Sequence, residues 1–174
     1  MFFVSTYFKM NAYHKYSKTD DYTTPVEYLR VIDKYIPSDK LVVDPFYFDG
    51  DVQYFWEEQL GRQIWHKPYD FFETEFSENC VFVSNPPYSK IIEILVSLFK
   101  RGNAFALLLP MQKMAQLKVQ KILIPHQEHL QMIISPVYTG FIKDGKQTRC
   151  PSQYMSWYCY KFNLPRDLMW VGEN

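Results

Sequence analysis

Cysteine and glycine are scarce in this sequence of 174 residues, and each scarcity excludes a class of protein. Only three cysteines occur, and the wide spacing of Cys80, Cys150 and Cys159 excludes a disulfide framework or a zinc motif and favours a reducing compartment. Six glycines exclude collagen-like and glycine-rich linker sequences. No apolar run is long enough to span a membrane, and the first residues show no secretory signal. We therefore expect a soluble, cytoplasmic protein with no membrane partner.

An excess of charge of either sign is also absent, because 19 basic residues balance 19 acidic ones. The balance hides a segregation along the chain. Residues 1–19 hold three lysines and no acid, residues 20–80 hold 14 acids and 5 bases, and residues 81–174 hold 11 bases and 5 acids. This pattern indicates either two surfaces with different partners or a chance clustering on solvated faces.

Alternating apolar patterns predict an α/β fold in a single domain, 1–174, with an N-terminal arm at 1–20 and a core at 21–162. The predicted strands are Leu41–Val43, Arg62–Trp65, Cys80–Ser84, Ala104–Leu109, Leu130–Ile134 and Tyr154–Phe162. The predicted helices are 24–36, 51–60, 89–101 and 111–122, and a turn-rich segment spans Gly140–Lys146. Thr24 is expected to cap the first helix, with Pro25 in its first turn.

The order of these elements predicts a mostly parallel sheet covered by helices on both faces. Ligands of such sheets bind beyond the carboxyl ends of the strands. Loops that begin at Asp44, His66, Asn85 and Pro110 each follow a predicted strand. We therefore expect these loops to line one edge of the sheet and to form the ligand site.

A short motif, Asn85-Pro86-Pro87-Tyr88, directly follows the predicted strand Cys80–Ser84. A proline-rich turn would explain the prolines, but not the amide and the aromatic ring beside them. The exocyclic amine of adenine or cytosine is a poor nucleophile, because its lone pair is delocalised into the ring. A neutral amide oxygen and a rigid backbone carbonyl can each accept one N–H of that amine. An aromatic ring can stack on a base that has been flipped out of its helix.

With this motif the chain resembles the amino-group methyltransferases that use S-adenosylmethionine, in a compact form like that of virus- or phage-encoded members. The resemblance implies a Rossmann-like class I methyltransferase fold, with a mostly parallel sheet of the seven-strand type and an antiparallel last strand. It implies methyl transfer to an exocyclic amine, first of all adenine N6 in DNA, with RNA of the cap-adenosine type as the alternative. Asn85, Pro86 and Pro87 would orient the amine, and Tyr88 would stack on the base. A viral member would act inside the host cell.

The same resemblance implies cofactor contacts elsewhere in the chain. The segment Asp21–Pro25 resembles the N-terminal motif that helps to bind the methionine end of S-adenosylmethionine, and Asp44–Phe46 resembles the start of the Asp-Pro-Phe-x-Gly-x-Gly loop. Asp70–Phe72 resembles the segment whose acid contacts the adenine amine, and Pro151–Tyr160 resembles a late motif of the family. The implied cofactor-binding residues are Tyr22, Thr24, Pro25, Asp44, Pro45, Phe46, Gly50, His66, Asp70 and Phe71.

Two departures from the family pattern concern the cofactor loops. Phe48 stands where the first glycine of the loop is usual, and a phenylalanine permits neither a close backbone approach nor a positive φ at low cost. His66 stands where an acid usually grips the ribose hydroxyls, so it is either a substitute for that acid or a partly exposed loop histidine. Asp70 and Asp44 have local alternatives too, as the cap of a loop and of a strand end.

Basic residues after the motif are candidates for contacts with a nucleic-acid backbone. The residues assigned to such contacts are Ser89, Lys90, Lys113, Lys146 and Arg149. Each lysine has a plain alternative as a solvated surface residue, and Trp157 is expected in the core. Only twelve residues follow Phe162, so no separate target-recognition domain is expected. Target choice would fall to loops, to the arm 1–20, to a homodimer partner or to another subunit.

Two other readings of the sequence compete with a methyltransferase, and no metal site is expected in any of them. A catalytically impaired, methyltransferase-like binding subunit would account for Phe48 and for the missing ribose acid. A different nucleotide enzyme with a Rossmann-like fold is disfavoured, because the chain contains neither Gly-x-Gly-x-x-Gly nor a phosphate-binding Gly-Lys-Thr/Ser loop.

Overall fold

A computed structural model describes residues 22–48, 50–135, 140–148 and 154–171. Outside these ranges lie the predicted arm 1–20, Asp21 of the segment Asp21–Pro25, the candidate phosphate contact Arg149 and residues 151–153 of the segment Pro151–Tyr160. Among the described residues, no helix has the length and apolar character needed to cross a membrane.

The helices and strands follow the predicted order and confirm the α/β class. The α-helices are α1 (Val26–Asp33), α2 (Asp51–Tyr54, continued by a π-helical turn Phe55–Gln59), α3 (Ile91–Arg101) and α4 (Leu117–Leu123). Short 3-10 helices span Tyr88–Lys90, Met111–Ala115 and Ile124–His129. The strands are β1 (Leu41–Val43), β2 (Ile64–Trp65), β3 (Cys80–Ser84), β4 (Phe105–Pro110), β5 (Leu130–Ile134), β6 (Ile142–Lys143), β7 (Lys146–Gln147), β8 (Met155–Tyr160) and β9 (Leu168–Trp170).

Seven of these strands form one mixed sheet in the order β2-β1-β3-β4-β8-β5-β9. Strands β2, β1, β3 and β4 are parallel neighbours, and β8 lies antiparallel between β4 and β5. The sheet is therefore mostly parallel, as predicted, with β8 as its antiparallel strand. The expectation of an antiparallel last strand was wrong, because the last strand is β9, an edge strand parallel to β5. The glutamine side chain of Gln131 holds the segment before β9 by accepting from Leu164 N at 2.7 Å and donating to Leu164 O at 3.1 Å.

Helices cover both faces of the sheet, as the predicted order of elements requires. Residues of β8 alternate between the two faces: Trp157 and Cys159 pack with α1, whereas Tyr158 and Tyr160 pack with α3 and α4. Such alternation follows from the two-residue period of a strand. Trp157 is fully buried, as expected, and its indole N–H donates to the Tyr28 carbonyl at 3.1 Å.

The ends of two elements differ from the prediction. Thr24 does not cap α1, because Pro25 occupies the N-cap position and no side chain caps this helix. Thr24 is instead buried just before the helix. The turn-rich segment forms a hairpin of β6 and β7, in which Asp144 and Gly145 both have a positive φ, as a tight two-residue turn requires.

The carboxyl ends of β1 to β4 meet at one edge of the sheet, since these strands run parallel. The hairpin β6–β7 belongs to the connection from the carboxyl end of β5 to the start of β8, and both of these points lie at the same edge. An isolated antiparallel bridge joins Thr23 to Ile142, so the segment before α1 reaches this hairpin. The predicted loops at Asp44, His66, Asn85 and Pro110 thus share one edge.

Candidate functional site

Asp44 links the ends of β1, β2 and β3 through its backbone and its carboxyl group. Its carbonyl oxygen lies 3.0 Å from His66 Nδ1, and its Oδ1 accepts a hydrogen bond from the hydroxyl of Ser84. The same Oδ1 accepts from the backbone N–H of Phe46 at 3.2 Å. Three neighbouring strand ends are therefore held together by one residue.

The carboxyl group of Asp44 lies in a nearly dry environment, with only 5% of the residue exposed. Burial raises its pKa above the ordinary range, because the charged form loses its hydration. His66 and the hydrogen bonds from Ser84 and Phe46 oppose this rise. The pKa of this group is raised in spite of three stabilising neighbours, which marks Asp44 as a candidate ligand group.

His66 is buried, with 3% exposed, so the expectation of a partly exposed loop histidine was wrong. A carbonyl oxygen only accepts, so the contact with the Asp44 carbonyl makes His66 Nδ1 the donor. The other ring nitrogen, Nε2, is buried without a hydrogen-bond partner in the described part of the chain. The ring of Tyr47 packs against the imidazole, with 4.7 Å between the ring centroids.

The loop from Asp44 to Gly50 accommodates its bulky residue without left-handed backbone at that position. Phe48 is exposed at the surface, and it is not among the described residues with a positive φ. The positive φ falls instead on Gly50, at +89°, directly before α2. A Cβ at Gly50 would stand 3.3 Å from the hydroxyl of Tyr47, so a larger residue would also crowd that ring.

Asp70 and Phe71 have structural roles in the loop that follows β2. Asp70 Oδ1 accepts from the backbone N–H of Phe72 at 2.8 Å, and Asp70 O accepts from the hydroxyl of Thr74 at 2.6 Å. This is the loop-capping alternative. Phe71 is fully buried against the rings of Phe46 and Phe82, so it shapes the site from beneath and has no surface to offer a ligand.

Arg101, at the end of α3, fastens this loop to the body of the protein. Its guanidinium group donates to the carbonyl oxygens of Phe71 at 2.8 Å and Thr74 at 3.0 Å. The same group lies over the ring of Phe71, 4.9 Å from the ring centroid. A basic residue of the second half of the chain thereby positions a loop of the acidic half.

The motif Asn85–Tyr88 forms the turn between β3 and the helical segment that follows. Pro86 and Pro87 are buried, whereas Asn85 and Tyr88 are half-buried at the carboxyl edge. The hydroxyl of Tyr88 donates to Asn85 Oδ1 at 2.7 Å. Asn85 therefore presents its amide oxygen toward the space at the edge that Tyr88 now occupies.

The segment Tyr22–Pro25 runs beside the hairpin rather than freely at the surface. Thr23 and Ile142 exchange two backbone hydrogen bonds, of 2.9 Å and 3.0 Å. The ammonium group of Lys143 lies 4.9 Å from the centroid of the Tyr22 ring. A predicted cofactor segment and a predicted phosphate-binding segment are thus in direct contact.

The candidate phosphate contacts have different surroundings. Lys90 lies 3.8 Å from Glu93 in an exposed pair, and Ser89 and Lys146 are exposed. Lys113 is half-buried rather than exposed, with its ammonium group 5.8 Å from the centroid of the Tyr88 ring. Of this set, Lys113 is the residue that the structure brings into contact with the motif.

Two residues of the site were missed from the sequence. Ser84 could have been assigned to the site from the sequence, because it is the polar residue at the end of an otherwise apolar strand. Tyr47 had no signal, since its contact with His66 arises only from folding.

Among the described residues, no group of three or more His, Cys, Asp or Glu side chains is arranged to hold a metal ion. Comparison with known protein families and with curated proteins finds no match to this chain.

Proposed function

We propose that this protein is an S-adenosylmethionine-dependent methyltransferase of Rossmann-like, class I type that acts on the exocyclic amine of a nucleobase, with adenine N6 in DNA as the first candidate. One observation carries the proposal. Asn85–Tyr88 lies at the carboxyl end of β3, beside the buried polar cluster at the ends of β1 and β2. The edge therefore offers a motif suited to an aromatic amine next to a cluster suited to a cofactor.

The residues at the ends of β1 and β2 fit S-adenosylmethionine in the chemistry of their polar atoms. With its proton on Nδ1, a neutral His66 would offer Nε2 as an acceptor to a ribose hydroxyl group once the side chains around it make room. Nε2 is buried and has no hydrogen-bond partner among the described residues. Asp44 lies in the part of the chain where acids are in excess, which favours a cationic ligand. When bound, S-adenosylmethionine supplies the electrophilic methyl group.

The motif residues act on the amine by positioning and hydrogen bonding. The amide oxygen of Asn85 accepts one N–H of the amine, and the carbonyl of Pro86 accepts the other, which keeps the lone pair out of the base ring. Neither acceptor is a strong base, so the surplus proton of the amine passes to water after transfer. Most of the rate would come from alignment of the amine with the methyl group.

The excess of basic residues in the second part of the chain supports a nucleic acid as the substrate polymer. Residues 81–174 hold 11 bases against 5 acids, and Lys113 and Lys146 belong to the loops of the carboxyl edge. Phosphate contacts of this kind carry no sequence information. DNA is the first candidate and cap-type RNA the alternative, and a second subunit could supply target recognition.

Transfer of labelled methyl groups tests the proposal. Purified protein is incubated with labelled S-adenosylmethionine and either double-stranded DNA, single-stranded DNA or RNA of mixed sequence, and the product nucleosides are separated. We expect label in N6-methyladenine from at least one polymer, and none with Asn85→Ala. Unlabelled products from all three polymers, with no difference between the two proteins, would contradict it.

A binding subunit without catalysis is the second candidate. Asp70 and Phe71 favour it, because both are occupied by structural roles in their own loop. Calorimetric titration with S-adenosylmethionine separates the two candidates. Binding at micromolar concentrations supports the enzyme, whereas a folded protein that does not bind supports the subunit.

A further inference from the structure

Tyr88 and Asn85 are bonded to each other at the atom that the proposed function requires for the substrate. The hydroxyl of Tyr88 donates to Asn85 Oδ1 at 2.7 Å. An amide oxygen has two lone pairs, and the Tyr88 hydroxyl uses one of them, so an incoming amine can reach only the other while this hydrogen bond is made. We expect the second acceptor position of Asn85 Oδ1 to open when the Tyr88 ring turns to stack on the base.

Lys113 lies over the ring of Tyr88, with its ammonium group 5.8 Å from the ring centroid. A cation at this distance from an aromatic face attracts the ring. Within the described part of the chain, no carboxylate pairs with the Lys113 ammonium group. Its charge is therefore available to an anion.

The backbone that carries Lys113 is anchored at its start. The hydroxyl of Tyr158 lies 3.2 Å from the carbonyl oxygen of Pro110 and 3.0 Å from that of Met111. Met111 N donates to Tyr154 O at 2.8 Å. Since this segment leaves β4 at the same edge as the motif, the approach of Lys113 to Tyr88 follows from the fold.

We propose that the hydrogen bond from Tyr88 to Asn85 is a latch, which limits access of a substrate amine to the amide oxygen of Asn85. Lys113 is the positioning residue of this latch, because binding of the phosphodiester backbone of a polynucleotide to its ammonium group opens it. This inference rests on the proposed function. A phosphate draws the Lys113 ammonium group away from the ring. The released ring gives up Asn85 Oδ1 to the amine of the base and stacks on that base. A free nucleoside has no phosphate, so it meets the closed latch, and the substrate class is a polynucleotide.

Steady-state kinetics with three substrates test the latch. A single-stranded DNA oligonucleotide of mixed sequence, the matching RNA and free deoxyadenosine are each assayed with labelled S-adenosylmethionine. The proteins are the wild type, Tyr88→Phe, Lys113→Gln and Lys113→Arg. Lys118→Gln, an exposed lysine of α4, is the control with the same change of charge.

The latch predicts a distinct pattern. Tyr88→Phe keeps the stacking ring but loses the hydroxyl, so the KM for the oligonucleotide falls about 2- to 12-fold. Lys113→Gln raises the KM for the oligonucleotide yet increases kcat/KM for deoxyadenosine about 2- to 5-fold, because the ring is less firmly held. Lys113→Arg retains the wild-type preference for the oligonucleotide over deoxyadenosine, and Lys118→Gln leaves kcat/KM for deoxyadenosine unchanged.

Two results would overturn the latch alone. One is a Tyr88→Phe protein whose KM for the oligonucleotide is unchanged or higher. The other is a Lys113→Gln protein in which kcat/KM changes in the same direction for the oligonucleotide and for deoxyadenosine. A merely structural role of Lys113 would produce that common shift. If the wild type transfers methyl groups neither to these three substrates nor to double-stranded DNA, the proposed function fails and the latch fails with it. If double-stranded DNA alone is methylated, it replaces the oligonucleotide in the comparison of the variants. Thermal unfolding of each variant verifies that the compared proteins are folded.

Discussion

The two halves of the carboxyl edge hold their polar groups in different ways. In the first half, the loops after β1 and β2, Asp44 and His66 are buried and tied to backbone and to Ser84 before any ligand binds. In the second half, the loops after β3 and β4, Asn85, Tyr88 and Lys113 are half-exposed and contact one another.

The first half of the edge is suited to holding a bound ligand, whereas the second half is suited to exchanging hydrogen-bond partners. Polar atoms fixed by burial cost no reorganisation when a ligand arrives, which suits a site that must bind the same cofactor in every cycle. Half-exposed groups that satisfy one another can change partners at low cost. The second half is therefore suited to admitting a substrate and releasing it.

The largest expected effect is a loss of methyl transfer from a change in the second half of the edge that leaves the first half intact. Asn85→Ala removes the amide oxygen, and we expect methyl transfer to fall by about 100-fold or more, as for the loss of one polar group that acts on the reacting atoms. The affinity for S-adenosylmethionine, measured by calorimetry, should stay within about twofold. Gln112→Ala removes an exposed amide nearby and serves as the control. Equal losses of affinity and activity in Asn85→Ala would refute the division of the edge.

The next effect breaks the tie between the acidic and the basic part of the chain. Arg101→Ala removes two charge-assisted hydrogen bonds to the loop after β2 and the contact with the Phe71 ring. We expect a loss of about 2–3 kcal/mol in the free energy of unfolding, measured with urea. The neighbouring Lys100 is exposed, and Lys100→Ala should stay within about 0.5 kcal/mol of the wild type. Similar values for the two variants would contradict the anchoring role.

A smaller effect sharpens the assignment of the first half. His66→Ala should weaken binding of S-adenosylmethionine about 10-fold, since a buried acceptor for a hydroxyl group is lost. The weakening should shrink for an analogue that lacks one ribose hydroxyl, because ligand and protein then lack the same hydrogen bond. His129→Ala, at an exposed histidine before β5, is the control. An equal loss for both ligands would argue that His66 acts only on the structure.

The smallest effect concerns the pH dependence of stability. Because the pKa of Asp44 is raised in the folded state, its ionisation costs no stability below about pH 4, where the carboxyl is protonated in both the folded and the unfolded state. As the pH rises from there through the folded pKa, the unfolded state ionises first, and stability is lost. Asp44→Asn cannot ionise, so its Tm should exceed that of the wild type near pH 7 by about 2–4 °C for each kcal/mol.

The difference in Tm between Asp44→Asn and the wild type should shrink toward zero as the pH falls to about 4. Asp39→Asn, at an exposed carboxyl, should show no such trend. A Tm difference that grows toward low pH would reverse the sign and contradict a raised pKa for Asp44.

Local patterns predicted most of the fold. Cys80–Ser84 matched β3 at both ends, because a run of β-branched and aromatic residues is bounded by polar and proline residues. The helix α3 ended at Arg101 because Gly102 adopts a positive φ, which a glycine permits. Strand β9 was missed, because three residues carry too little periodicity and its pairing depends on contacts with β5.

The site was predicted in part and for the same reason. The loops after four strands were expected at one edge, and parallel topology brought them there. The burial of His66 was not predicted, because it depends on Tyr47 and on a carbonyl 22 residues earlier in the chain. Phe71 was expected to contact a ligand, but its ring is fully buried in the core.

The sequence by itself determined the class of fold, the order of the main strands and the identity of the motif Asn85–Tyr88, since each depends on residues adjacent in the chain. Only the tertiary structure decided which polar atoms lack a partner and which bond to each other. Among the described residues, His66 Nε2 has no hydrogen-bond partner and Asn85 Oδ1 has one, because burial and hydrogen bonding depend on neighbours that the sheet assembles. Composition and periodicity carry no information about such pairs, whose geometry is set by packing.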